Sequence, residues 1–198
     1  MHTRGWHLLL VALCLFTLAG CAVSSRPGDS RQPVSKPLHE ARYHDDVLTF
    51  SYPASWTARR YEVASSFSSA IVYLSNQPLH DPCTRSGLPG GGLRITCGHP
   101  ISALAPGGVL VEWTREGFPN WKLSDAPGVR QQIAGRPSKL AIRRPGRCAN
   151  LGADETILAS ITRSPDNRYQ LLACLRGPSL ATGEQQVRHL LATTAVRG

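Results

Sequence analysis

The chain is 198 residues long, and its 22 Lys and Arg outnumber 13 Asp and Glu to give a formal charge of +9. That length holds one typical domain with a sizeable core, and no internal repeat or second polar linker divides it further. The charge excess favours anionic neighbours, although a genome-wide preference for Arg over Lys would produce it with no specific anion site. Motifs for catalysis are nearly absent, with no Gly-x-Ser-x-Gly elbow, no His-Glu-x-x-His, no phosphate loop and no Ser-x-x-Lys, which lowers the expectation of an enzyme without excluding one.

The chain opens with Arg4 ahead of a twelve-residue, largely apolar run over 8–19, which closes on Leu18-Ala19-Gly20-Cys21. Such a run has the length of a signal-peptide h-region, whereas a bilayer-spanning helix needs about twenty residues. Leu18-Ala19-Gly20-Cys21 resembles the lipobox of bacterial lipoproteins, in which two small residues give the peptidase access and the cysteine thiol carries diacylglycerol. The resemblance implies that residues 1–20 are a signal peptide, removed together with Cys14. Cys21 then becomes the lipidated N-terminus at the extracytoplasmic face of the cell membrane. A diacyl group, joined by a third chain such as palmitate, supplies the anchoring that one chain cannot. Ordinary secretory cleavage near Gly20 and Ala22, with Cys21 incidental, is the competing reading.

Residues 21–46 read as the lipidated cysteine and a flexible linker, because Pro, Ser and charges without apolar periodicity cannot bury enough surface to fold. As a coil this stretch separates its ends by about 25–30 Å. His44-Asp45-Asp46, at its end, is expected to be solvated rather than a metal or acid–base site. Residues 47–198 then form a single domain.

In that domain 47–52, 70–74, 93–96 and 109–113 are short β-branched or aromatic runs bounded by Pro, Gly, Ser or Asn, the pattern of strands. Residues 100–104 suggest one helical turn, and 139–143 a further strand with Leu140 and Ile142 on one face. The clearest hairpin joins 156–163 to 168–175 across Ser164-Pro165-Asp166-Asn167. There Pro165 pre-sets φ at the second turn position and Asp166 tolerates the next. A helix closes the chain, with Thr182 and Gln185 as a capping box and Val187, Leu190, Leu191 and Ala195 as its apolar stripe. Many strands with one substantial helix give an α+β domain, a mostly antiparallel β-sheet packed against a C-terminal helix.

Four cysteines fall in the domain: Cys83, Cys97, Cys148 and Cys174. An even count in an oxidising compartment argues for disulfides, with three pairings open. The sequential pairing, Cys83 with Cys97 and Cys148 with Cys174, is favoured because the first bridge would close the Gly-rich loop 84–92. Closing a loop of about fifteen residues is worth about 3 kcal/mol in the chain-entropy model. His80, Cys83, Cys97 and His99 surround the same loop, yet Cys-x-His is not a usual zinc spacing and oxidation competes for the thiols. Neither a metal nor any other cofactor is therefore expected.

Phe50-Ser51-Tyr52-Pro53-Ala54-Ser55-Trp56 resembles the FSYP-x-x-W opening of PsbP-like domains, including those of actinobacterial lipoproteins of the LpqN group. Those proteins are similar in plan, with a signal, a lipobox, a linker and a sandwich of antiparallel sheet and helices. The resemblance implies a PsbP-like α/β sandwich that acts as a binding or assembly factor, and it carries no site residue across.

Two binding candidates come from the residues themselves. Trp113, Phe118 and Trp121 surround Gly117-Phe118-Pro119-Asn120, where exposed rings could stack on a sugar or a partner's side chain. Burial in the core is the commoner outcome for such rings, since large aromatics usually end mostly buried. Arg136, Lys139, Arg143, Arg144 and Arg147 form a basic ridge, with Arg143 and Arg144 as the named candidates, able to meet phosphates or to guard a solvated sheet edge. Asp154-Glu155 begins a strand with no partner in view, and Glu112 is expected to point away from its strand's apolar face. These features favour a membrane-anchored envelope lipoprotein that binds rather than catalyses. An envelope protein or an anionic cell-wall polymer, not nucleic acid, is its expected partner. An envelope hydrolase with a site assembled from distant residues is the alternative, and a cleft joining His80 or His99 to Asp or Glu would mark it.

Overall fold

The computed structural model describes residues 39–197; the signal segment, the lipobox and Cys21 lie outside them. The described elements run β1 (Glu40–His44), β2 (Leu48–Pro53), β3 (Thr57–Arg59), β4 (Ser68–Ser75), β5 (Cys83–Gly87), β6 (Leu93–Cys97), β7 (Val109–Gly117), β8 (Val129–Ile133), β9 (Arg136–Arg143), β10 (Glu155–Ser164), β11 (Asn167–Leu175), α1 (Leu180–Ala192) and β12 (Ala195–Val196). All strand pairings are antiparallel. One sheet has seven strands in the order β3-β4-β7-β11-β10-β9-β8, a second has the order β1-β2-β12, and β5 and β6 form a separate hairpin. The domain is α+β, as composition and periodicity suggest.

Side chains of a strand alternate between faces, and the alternation places the core. Val109, Val111 and Trp113 of β7, Ile157, Ala159 and Ile161 of β10, and Leu171 and Ala173 of β11 share one face. There they meet Leu48 and Phe50 of β2 and Val187, Leu190 and Leu191 of α1. Trp113 is fully buried, with its ring 6.0 Å from Phe50, which in turn stacks on Tyr43 at 4.9 Å. Trp113, one of the binding candidates, thereby belongs to the core, the commoner fate of a large aromatic, because it shares the inward parity of Val109 and Val111.

A smaller core occupies part of the opposite face, where Ile101, Leu104 and Leu151 pack with Tyr73, Leu110 and the half-cystines Cys148 and Cys174. Residues 100–104 reach it as irregular backbone, not as the expected helical turn. Both sequentially paired disulfides are present. Cys83–Cys97 links residues directly opposite each other in the β5–β6 hairpin, and Cys148–Cys174 ties the loop before β10 to β11.

The β10–β11 hairpin turns at Pro165 and Asp166, with φ of 63° at Asp166. Elsewhere the elements differ from expectation. Strand β1 falls inside the stretch read as linker, because Asp45 closes a β1–β2 turn. Its carboxylate accepts hydrogen bonds from the Tyr43 hydroxyl at 2.6 Å and from the backbone N–H groups of Val47 and Leu48 at 2.8 and 2.7 Å. Burial alone would raise this carboxyl, but those donors together hold it below its usual range. Helix α1 starts at Leu180 behind Ser179, so Thr182 and Gln185 lie within it rather than capping it, and Ala195 belongs to β12. Gly128, with φ of 100°, precedes β8 where a Cβ would come within 2.1 Å of the Leu140 carbonyl oxygen. Among the described residues no helix is long and apolar enough to cross a membrane.

Trp113→Ala should destabilise the domain by about 3–5 kcal/mol through the cavity it leaves, whereas Phe118→Ala should change stability by about 1 kcal/mol or less. Replacing Cys148 and Cys174 together by Ala should cost about 3–4 kcal/mol. Urea unfolding of each variant beside the parent measures all three.

Candidate functional site

Beyond the smaller core, the face of the seven-stranded sheet opposite α1 carries polar side chains. Among them, near the end of β7 that adjoins the β10–β11 turn, is Glu116, 8% exposed. One carboxylate oxygen accepts from Arg168 Nη2 at 2.5 Å and Nε at 2.8 Å; the other accepts from Gln170 Nε2 at 3.0 Å and the Thr114 hydroxyl at 3.3 Å. Arg168 stands directly across from Glu116 in the β7–β11 register. A buried carboxylate with this many donors is held in one orientation. Two depressions flank the network.

The first lies over β9, β10 and β11 and encloses about 280 Å³. Arg143 and Arg147 line it, with Ser160 and Thr156 of β10 and the 3₁₀ turn Leu123–Asp125 leading to Ala126 and Pro127. Lys139 holds that turn by donating to the carbonyls of Ser124 at 2.8 Å and Ala126 at 2.6 Å. Neither Arg143 nor Arg147 has an ion-pair or hydrogen-bond partner among the described residues. Arg144 departs from the sequence expectation: its Nε lies 2.5 Å from Glu155 Oε2, and the Glu155 side chain has no exposure. It neutralises a buried carboxylate, which also answers the open question of a partner for Asp154-Glu155. Arg136 donates to the Arg163 carbonyl at 3.1 Å. The basic ridge is thus divided by roles, and only Arg143 and Arg147 combine freedom from partners with a shared depression.

The second depression is larger, about 1060 Å³, and open. Tyr61, Val63 and Ile71 line it, with Glu112 and Thr114 of β7 and Ile95 of the β5–β6 hairpin. Glu112 does point away from the core face, and it accepts a hydrogen bond from the Tyr73 hydroxyl at 3.1 Å. Burial raises its carboxyl above the ordinary range, outweighing the lowering by Tyr73 and by nearby His99. Tyr73 is likewise raised, by burial first and then by the Glu112 charge and hydrogen bond. The Cys83–Cys97 disulfide removes both thiols from the set His80, Cys83, Cys97 and His99. Among the described residues no group of three or more His, Cys, Asp or Glu is placed to hold a metal.

Phe118 and Trp121 remain at the surface, gathered by Arg168 rather than by Trp113. The guanidinium lies 5.2 Å from the Phe118 ring and 4.9 Å from the Trp121 ring, in the range of cation–π attraction. Phe67, half exposed, stacks on Phe118 at 5.5 Å. Phe67 and Arg168 escape a reading of adjacent residues because they come from the β3–β4 connection and from β11. The alternation of Glu112, Thr114 and Glu116 with Val111 and Trp113 is the signal that could have disclosed the polar face.

Comparison with protein-family models, curated proteins and solved structures finds no match.

A carboxyl whose pKa is raised by folding is more protonated in the folded chain, so it contributes a loss of stability as pH rises from the ordinary carboxylate range through the folded value. Glu112→Gln removes that loss and keeps an acceptor for Tyr73. The variant should match the parent near pH 4 and become the more stable of the two by about pH 8, read as the difference in urea midpoint across the series.

Proposed function

We propose that the chain is a lipoprotein anchored through Cys21 at the extracytoplasmic face of the cell membrane. Its folded domain is a binding or assembly module whose ligand sits on the open face of the seven-stranded sheet. The observation that carries this reading is the Glu116–Arg168–Gln170–Thr114 network, which fixes polar side chains between two depressions on a face the helix layer leaves uncovered. Ordered polar groups with apolar and aromatic surroundings are the usual composition of a ligand site. The PsbP-like architecture belongs to the same proposal. Of the residues behind that resemblance, Phe50 and Trp56 are buried in the core, so they support the fold and not the site. The partner is an envelope protein or an anionic cell-wall polymer, in keeping with the positive charge of the chain.

One observation favours an envelope hydrolase as the second reading. Glu112, with its raised carboxyl, lies in the larger depression beside Tyr73 and within the influence of His99, and a carboxyl tuned upward suits general acid–base chemistry.

Cys21→Ala should move the protein from the membrane to the soluble fraction or leave it uncleaved, and intact mass should show diacylglycerol on the parent; an unmodified mature N-terminus would overturn the anchor. For the module, a photo-crosslinking residue at Ser69, in the larger depression, should capture a ligand or partner in the native envelope, while one at exposed Gln185 on α1 should not. Equal capture at both positions counts against the sheet face. Turnover of an esterase, phosphatase or peptidase substrate that falls by about a hundredfold in Glu112→Gln would establish the hydrolase instead.

A further inference from the structure

We infer that the smaller depression is a binding site for one compact phosphate-type anion, gripped by Arg143 and Arg147; this rests on the open face being the binding face. Its volume, about 280 Å³, lies at the small end of ligand pockets and leaves a phosphate group or a small headgroup room to enter.

Charge and hydrogen-bonding capacity agree with that size. Four charged side chains line the depression: Arg143, Arg147, Arg168 and Asp125. Arg168 is neutralised by Glu116. Asp125 turns its oxygens to its own turn, accepting from the Lys122 N–H at 3.0 Å and the Ser124 hydroxyl at 3.0 Å. Its charge is further offset by Lys139, which is fastened to the same turn. Two guanidinium groups are left without counter-charge, on walls that face a common space.

The chain is built to bring them there. Arg143 ends β9, and Arg147 follows four residues later, after the backbone has passed over β10. Gly146 permits the passage, since a Cβ at that position would fall 2.2 Å from Thr156 Oγ1. Thr156 and Ser160, 3% and 2% exposed, line the same depression with hydroxyl-bearing side chains. Two guanidinium forks arriving from different backbone segments can bond separate pairs of oxygens. A phosphate offers four oxygens to such an arrangement, two of them weaker ester acceptors in a diester, whereas a carboxylate offers two.

The phosphate could be inorganic or part of an anionic lipid headgroup, and two soluble probes distinguish these sources. The full-length chain, in non-ionic detergent at constant ionic strength, is titrated with inorganic phosphate and separately with the diester glycerophosphoglycerol. At least one probe should bind saturably. Arg143→Ala and Arg147→Ala should each weaken that binding by about tenfold, or about 1.4 kcal/mol. Arg94→Ala, which removes charge on the β5–β6 hairpin, should leave it unchanged. Preference for phosphate marks the free ion, and preference for the diester marks a headgroup. Both arginines are exposed and without partners, so the variants should unfold at the parent's urea midpoint; Ser160→Ala gives an independent, few-fold weakening. Absence of saturation with either probe, or equal weakening by Arg94→Ala, overturns the anion site. Crosslinking at Ser69 is read separately, so the anion site can fail while the module reading stands, and the reverse.

Discussion

In β7 Val109, Val111 and Trp113 point to one side of the large sheet while Leu110, Glu112, Thr114 and Glu116 point to the other. That parity decides which surface the rest of the chain can bury. The first row is met by α1 and by β2, and a helix of 13 residues with a short three-stranded sheet does not reach round to the second. Cover on the second side comes from short stretches: those carrying Ile101, Leu104 and Leu151 are fastened over Leu110 and Cys174, with Tyr61, Val63 and Leu79 packed beside them, and the 123–125 turn lies over β9 and β10. Along the outward row the residues change accordingly, from Leu110 under that cover to Glu112, Thr114 and Glu116 outside it. The open face follows from the order of side chains within a single strand.

Two carboxylates deep in the structure, Glu116 and Glu155, determine what remains for function. Each takes an arginine from another segment: Arg168 from β11, and Arg144 from just past the end of β9. Removing a carboxylate from water is costly, and such pairs fix position more reliably than they add stability. Their consequence is selective. Arg144 and Arg168 are committed to buried partners, and Lys139 to backbone carbonyls, so a ridge that looks uniformly basic in sequence contains only two free cations on the open face near β9 and β10. Arg168 has a second use, because the guanidinium that balances Glu116 also lies against Phe118 and Trp121.

The parts legible in sequence were those governed by local rules. The β10–β11 hairpin follows from Pro165 and Asp166, the apolar stripe of α1 from the spacing of Val187, Leu190 and Leu191, and the disulfides from an even cysteine count with a Gly-rich loop between the first two. Strand β1 was hidden because EARYH has only Tyr43 as a strongly apolar anchor, and its order depends on Asp45 and on pairing with β2. Closeness in sequence groups Trp113 with Phe118 and Trp121, whereas strand parity separates them to opposite environments. The depressions could not be read at all. One joins Arg143, Arg147, Thr156 and Ser160 to a turn at 123–125, and the other joins Ile95 to Glu112 and Tyr61; each draws on contacts that only the sheet order creates.

Ordering of the open face before any ligand arrives is a consequence of the same construction. Binding is weakened whenever side chains or loops must be immobilised on association. Here Lys139 already secures the 123–125 turn, Gly146 lets the Arg147 segment lie against β10, and four hydrogen bonds orient Glu116. Arg143 and Arg147 are the part left unsettled, two like charges sharing one small space with no counter-ion among the described residues. Their mutual repulsion is modest in water and grows as solvent is excluded. An anion placed between them turns that repulsion into attraction at both arginines while the walls of the depression stay where they are.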